Sequence, residues 1–224
     1  MPLLNTILNG ILNIVFPVKC VSCGKNGKDF CLKCLSDAPL AERETAKWIF
    51  PLYDYRHPSI KKALQLFKYN GKKRLANIFA EILYGKIIEE LSELSVMENF
   101  TNAILIPIPL SAKRYRERGF NQAELICKEL IKLDKEKNFS LENNILIKPR
   151  ETEHQARIHN RTERLKNIIG SFSIKNEKEN ISKIKGRNII LIDDITTTGA
   201  TLNEAKKTLK QAGARKVIAF TVAH

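Results

Sequence analysis

Apolar residues fall along this 224-residue chain in two alternating patterns. A continuous apolar run at residues 104–108 and strand-like stretches at 50–55, 145–147, 188–192 and 217–222 predict strands buried on both faces. Between them, helical spacing predicts a basic helix over 58–68 and a long amphipathic helix over 73–94, with Leu75, Ile78, Phe79, Ile82, Leu83, Ile87 and Leu91 on one face. Further helices are predicted from about 119 to 133 and over 202–210. Such alternation specifies an α/β fold, a mainly parallel sheet flanked by helices, in which ligands bind beyond the carboxyl ends of the strands. The polar stretch 175–185 reads as an exposed connection or a hairpin, and the residues after Leu110 as a charged loop.

Residues 2–16 carry an amphipathic pattern of their own. Asn5, Asn9 and Asn13 lie on one helical face, and Leu4, Ile7, Leu8, Ile11, Leu12 and Val15 on the other. The stretch is shorter than the ~20 residues of a spanning helix and has no basic flank before Lys19, so it is expected to dock on the protein's own core or on a second copy. Neither a transmembrane segment nor an export signal is read, which points to the reducing cytoplasm and away from disulfides among the five cysteines. Hydrophobic content of 43% and charged content of 28% exclude collagen-like and broadly disordered chains. The net charge of +14 attracts nucleic acid, anionic membrane or phosphorylated small molecules without choosing among them.

Two pairs of cysteines, Cys20 with Cys23 and Cys31 with Cys34, flank a loop rich in Gly, Asn and Lys. Four thiolates at this spacing can converge on one tetrahedral ion, and a structural Zn2+ supplies folding energy that so short a segment lacks. A redox pair competes with this reading, but no thioredoxin-like strand and helix surround either pair. The expected organisation is an amphipathic helix plus four-cysteine zinc module over 1–47 and an α/β domain over 48–224. Cys127 lies in a helical pattern and is assigned to the core.

The sharpest chemical signal is the apolar run 189–192, which leads into Asp193 and Asp194 and then Thr196, Thr197, Thr198, Gly199 and Thr201. A buried strand delivers two adjacent acceptors that suit vicinal sugar hydroxyls or a hydrated divalent cation. The turn offers hydroxyls, backbone N–H groups and a helix N-terminus to a phosphate. The segment resembles the phosphoribosyl-pyrophosphate (PRPP) signature of type I phosphoribosyltransferases. That resemblance implies that Asp193 and Asp194 face the ribose hydroxyls, that residues 196–201 hold the 5-phosphate, and that Mg2+ accompanies the ligand. Purine-salvage members of that fold carry an acid where this chain has Thr197, which turns the expectation away from purine salvage.

Upstream, the apolar residues 104–110 lead into Lys113, Arg114, Arg116 and Arg118, then Gly119, Phe120, Asn121 and Gln122. Arg114 and Arg118 could take pyrophosphate through their planar forks. Arg150, Thr152, Gln155, Arg161, Arg164 and Asn167 form a second cluster that could act as a lid. In their order, the four-cysteine module, the run from Arg118 to Gln122, the segment from Thr152 to Asn167 and the paired aspartates resemble the ComF family. The resemblance implies a phosphoribosyltransferase-like domain and a role in natural competence and DNA uptake. It further implies handling of imported single-stranded DNA at the cytoplasmic face of the membrane with a helicase-like partner.

Independently of that family, residues 56–74 hold Lys61, Lys62, Lys68, Lys72, Lys73 and Arg74 with no acid, interleaved with Phe67 and Tyr69. Basic groups can track a nucleic-acid backbone while aromatics stack bases, which suits single-stranded DNA; a solvated helix face with Phe67 in the core is the competing reading. Two classes stay open. One is a DNA-handling competence factor that uses the fold as a PRPP-binding platform. The other is an active transferase releasing pyrophosphate, its nucleophile unassigned. The histidines His57, His154, His159 and His224 share no spacing with acids or cysteines that would make a second metal site.

Overall fold

The computed structural model describes residues 18–42, 46–149 and 168–224. In chain order these hold α1 (Leu32–Ser36), β1 (Ile49–Tyr53), α2 (Pro58–Tyr69), α3 (Leu75–Glu98), β2 (Ala103–Pro107), α4 (Ala112–Arg118) and α5 (Gln122–Leu133). Then follow β3 (Phe139–Leu141), β4 (Leu146–Ile147), β5 (Ser173–Ile174), α6 (Glu177–Ile184), β6 (Asn188–Ile195), α7 (Ala200–Gln211) and β7 (Lys216–Ala223). Five strands form one sheet in the order β1-β7-β6-β2-β3, every pair parallel, while β4 and β5 make a separate antiparallel pair. The expected α/β architecture is thus the observed one.

Side-chain alternation along β6 explains the layering. Ile190 and Ile192 join one core with Phe67 of α2, Phe79 and Leu83 of α3 and Ile126 of α5; Ile189 and Leu191 join another with Leu202, Ala205 and Leu209 of α7. A strand covered on both faces has no polar side to spare, which is why residues 189–192 are all isoleucine or leucine. Cys20, Val21, Phe30 and Leu35 from the cysteine-rich segment share the first core with α2 and α3. Further ties are the Ser22–Ser59 hydroxyl pair at 2.7 Å and the bond from the Ala41 N–H to the Leu52 carbonyl at 2.9 Å.

Three elements differ from the sequence reading. Residues 112–118, read as a charged loop, form α4, closed by Gly119 at φ +75°. No residue of α4 is buried, so it carries no hydrophobic period to betray it. The stretch around 177–184, read as a connection or hairpin, is helix α6: Glu177 and Glu179 occupy its first turn, Lys183 its last, and Ile184 is buried. Strand β3 lies beside β2 at the sheet's edge and is too short to register as an apolar run. The long helix runs past Leu94 to Glu98 and ends where Asn99 turns left-handed at φ +50°. Among the described residues no helix is long and apolar enough to cross a membrane.

Candidate functional site

Strands β2 and β6 are neighbours, but the chain leaves β2 towards β3 and leaves β6 towards β7, on opposite sides. Such a switch point opens a crevice beyond the carboxyl ends of the two strands. Here it holds a cavity of about 470 Å³, bounded by Ile108–Leu110 after β2, by Asp193 and Asp194 near the end of β6, and by Thr197 and Thr201 beyond it. Arg114 and Arg118 of α4, Gln122 of α5, Lys148 beyond β4, and Gln65, Lys68 and Tyr69 of α2 complete it. The loop after β2 is fixed from both sides: the Ile108 N–H donates to the Ile192 carbonyl at 2.9 Å, and Asn121 Nδ2 donates to the Ile108 carbonyl at 3.0 Å.

Acids and cations line the same cavity. Lys68 Nζ lies 3.1 Å from Asp194 Oδ1, with both side chains mostly buried. Asp194 Oδ2 is buried and has no hydrogen-bond partner among the described residues. The Asp194 N–H donates to Asp193 Oδ1 at 2.8 Å. Burial and the neighbouring Asp194 charge raise the Asp193 carboxyl to about 7, against the opposing pull of Lys68, that N–H and Lys148. Lys148 is brought down to about 8 by burial and by the nearby Arg114 charge. Arg114 is itself held below its ordinary value by burial and by Arg118. Arg118 donates from Nη1 to Gln122 Oε1 at 2.9 Å and lies 5.4 Å from the centre of the Tyr69 ring. The pocket therefore presents paired acceptors together with a set of donors, an arrangement fit for a ligand carrying both hydroxyls and anionic oxygens.

A second constellation sits on α1 and the loop before it. The Sγ atoms of Cys20, Cys23, Cys31 and Cys34 all lie within 4.8 Å of one another, and Cys23 and Cys31 are 3.8 Å apart. Tetrahedral coordination with metal–sulfur bonds of about 2.3 Å needs sulfur–sulfur edges of about 3.8 Å, so the four thiols could hold one ion. The knuckle is built for it: Gly24 turns at φ +75°, its N–H donates to the Cys20 carbonyl at 2.9 Å, and the Cys31 N–H donates to Cys20 Sγ at 3.4 Å. Burial raises the Cys20 thiol, but the N–H groups of Cys23, Cys31 and Ser22 outweigh it and bring it to about 6. Ser22 lowers the Cys34 thiol, yet burial and the crowding thiols Cys31, Cys23 and Cys20 push it to about 11. Four sulfurs so close repel as thiolates and call for a cation.

The phosphoribosyl transferase domain family matches residues 134–224, the part that carries β6, the paired aspartates and α7. The competence protein ComFC of Bacillus subtilis is 34% identical over 172 residues, covering 76% of this chain and 62% of that protein. ComFC of Streptococcus pneumoniae is 34% identical over 164 residues, 73% of this chain and 63% of that one.

The chain is similar to members of the ComF family. It spans under two thirds of the length of those two relatives. The DNA utilization protein YhgH of Escherichia coli O157:H7 is more distant, 23% identical over 189 residues, with 84% of this chain and 74% of that protein covered. The fold is of the type I phosphoribosyltransferase kind, with a four-cysteine cluster near the N-terminus.

In this chain the residues singled out by sequence are distributed unevenly. Asp193, Asp194, Thr197, Thr201, Arg114 and Arg118 all line the one pocket. Thr196 is buried with its hydroxyl unpartnered among the described residues, Thr198 Oγ1 accepts from the Ala200 N–H at 3.4 Å, and Gly199 turns at φ +71°. An added Cβ at Gly199 would come within 3.2 Å of the Ile49 Cδ1 methyl, a side-chain end able to shift, so it is the left-handed turn that favours glycine here. Of the basic residues, Lys61, Lys62 and Arg74 are exposed, Lys72 Nζ lies 3.6 Å from Asp29 Oδ1, and Lys73 lies over the Phe120 ring at 5.1 Å. Lys68 does not share their exposed face, because its ammonium turns into the pocket to pair with Asp194. Phe67 is fully buried and cannot stack on a base, whereas Tyr69 is 63% exposed at the pocket's mouth. Sequence reasoning misses Lys148; its available signal is a lone cation directly after the apolar pair Leu146–Ile147. The amphipathic stretch 2–16 and the cluster Arg150, Thr152, Gln155, Arg161, Arg164 and Asn167 lie outside the described residues.

Because folding raises the Asp193 pKa above that of the unfolded carboxyl, the folded state binds more protons between about pH 4 and 7. Stability of the ligand-free protein should therefore fall as pH rises through that window, on the order of 1–3 kcal/mol, and Asp193→Asn should flatten the slope. Denaturant unfolding at several pH values measures it. A slope left unchanged by Asp193→Asn contradicts the assignment.

Proposed function

We propose that this chain is a cytoplasmic, competence-associated DNA-handling protein whose pocket binds phosphoribosyl pyrophosphate with Mg2+. The observation that carries the reading is the meeting, within one cavity at the sheet's switch point, of Asp193 and Asp194 with Arg114, Arg118 and Lys148. Ribose hydroxyls would donate to the two carboxylates, Asp194 Oδ2 being a buried acceptor with no partner among the described residues. Thr197, Thr201 and the N-terminal turn of α7 would take the 5-phosphate. Arg114, Arg118 and Lys148 would take the pyrophosphate as charge-assisted donors. Mg2+ bound with the ligand would supply further charge neutralisation at the pyrophosphate. Thr197 cannot exchange a proton as a carboxylate does, so proton chemistry on a purine ring is disfavoured. An active transferase acting on another nucleophile is the second reading, favoured by the near-neutral Asp193 carboxyl, a group able to accept a proton at physiological pH.

The relatives named as competence and DNA utilization proteins support a DNA-handling role. Single-stranded DNA would lie along exposed Lys61 and Lys62, then Lys72, Lys73 and Arg74, with Tyr69 as the exposed aromatic beside them. A helicase-like partner in the same uptake process is the expected companion. The four cysteines would hold a structural Zn2+, since all four positions of the tetrahedron are filled by protein sulfur.

Calorimetric titration with Mg2+ and PRPP should show binding by the wild type and a loss of tenfold or more for the Asp193→Ala, Asp194→Ala variant; equal affinity contradicts the site. Pyrophosphate release, measured with and without DNA, separates the two readings: binding without release supports a platform, and release with a small nucleophile a transferase. For DNA, replacing Lys61, Lys62, Lys72 and Lys73 with Ala should weaken single-strand binding and reduce the slope of log K against log salt by ~0.7 for each phosphate that is no longer neutralised. An unchanged slope contradicts that face. Elemental analysis should find one zinc per chain, absent from Cys31→Ser, which should also melt at a lower temperature because Cys20, Val21 and Phe30 belong to the core of α2 and α3. Metal-free wild type with an intact fold would contradict the structural role.

A further inference from the structure

Two neighbouring side-chain amides at the start of α5 have different fates. Asn121 is fully committed: its Oδ1 accepts from the Ala123 N–H at 3.0 Å and its Nδ2 donates to the Ile108 carbonyl at 3.0 Å. Gln122 is only 1% exposed and lines the pocket, with one half of its amide engaged. Its Oε1 accepts from Arg118 Nη1 at 2.9 Å. A guanidinium has donors and no acceptor, so the amide cannot flip without setting donor against donor. The orientation is thereby locked, with Nε2 as the free end. That nitrogen is buried and has no acceptor among the described residues. Buried amide donors in folded proteins are paired, and one left open in a cavity marks the place of a ligand acceptor.

The surroundings define that acceptor. Arg114, Arg118 and Lys148 in the same pocket are donors only, so the ligand group that meets them is an acceptor. The acceptors of the pocket, Asp193 and Asp194, come from β6. We propose that Gln122 is a ligand-contacting, specificity-determining residue: its locked amide donates to an anionic oxygen of the ligand's pyrophosphate arm while its carbonyl holds Arg118 on the same arm. Arg118 is steadied on its other side by the Tyr69 ring, 5.4 Å away. The proposal rests on the PRPP reading for the identity of the whole ligand, but its own content is the phosphate-type acceptor.

The test titrates the full-length wild type, Gln122→Glu and Gln122→Met with three probes at fixed ionic strength: Mg2+ with PRPP, Mg2+ with inorganic pyrophosphate, and ribose 5-phosphate. Gln122→Glu keeps an acceptor for Arg118 but replaces the free donor with a second acceptor. It should weaken PRPP and pyrophosphate by tenfold or more and leave ribose 5-phosphate within twofold. Gln122→Met, close in volume and without either hydrogen bond, should weaken the same two probes, and it carries the test if the buried carboxylate prevents folding. Were Gln122 only a support for Arg118, Gln122→Glu would bind as the wild type does, and that result overturns the proposal. An equal loss for ribose 5-phosphate overturns it too, since the effect would then not belong to the pyrophosphate arm. Wild type that takes pyrophosphate but not PRPP removes the PRPP reading and leaves this inference to the pyrophosphate series. Wild type that takes neither removes both.

Discussion

Two adjacent carboxyl groups at the end of a strand buried on both faces impose the constraint on which the site depends. Asp193 and Asp194 follow four aliphatic residues that have no contact with solvent, so their charge is delivered into surroundings that oppose it. The protein answers in two ways. Lys68 is brought from α2 to within 3.1 Å of Asp194, and Asp193 is left with a carboxyl near neutrality. The remaining cations, Arg114 and Arg118 of α4 and Lys148 beyond β4, lie close together, and burial with this crowding depresses Arg114 and Lys148. A cavity whose like charges are held together in advance of ligand is preorganised to receive opposite ones.

The five residues from Arg118 to Gln122 show how much of this depends on one short connection. Gly119 ends α4 in a left-handed turn at φ +75°, and Phe120 anchors against Phe67 with ring centres 6.0 Å apart. Asn121 caps α5 and ties down the loop after β2; Arg118 and Gln122 bond to each other across the turn. Arg118 and Gln122 at its two ends face the pocket, and Gly119, Phe120 and Asn121 between them fix the turn. The cysteine-rich segment is linked to the same neighbourhood, since its apolar residues pack with α2, and α2 supplies Lys68 and Tyr69 to the pocket.

Much of this is legible in the sequence where a hydrophobic period meets a distinctive polar group. Residues 189–192 leading into Asp193 and Asp194, the two cysteine pairs, and the amphipathic face of α3 all signal structure and chemistry together. Helix α4 is not legible, because it buries nothing and so leaves no period. The side of α2 to which Lys68 belongs is not legible either: the spacing places Lys61, Lys62 and Lys68 in one basic run, but only tertiary packing turns Lys68 inward against Asp194. Lys148 is hidden for a related reason, since β4 is two residues long and its position beside Arg114 and Asp193 arises from the sheet's crossover. Local pattern reveals which face of an element is apolar, whereas the meeting of charges from distant elements is a property of topology.

The central claim is that the acid pair and the surrounding cations form a single ligand-receiving pocket, with Lys68 paired to Asp194 inside it. A crystal structure of the full chain with Mg2+ and PRPP tests this most directly. The account predicts the ribose against Asp193 and Asp194, the 5-phosphate at Thr197 and Thr201, and the pyrophosphate at Arg114 and Arg118. Ligand density elsewhere would contradict it.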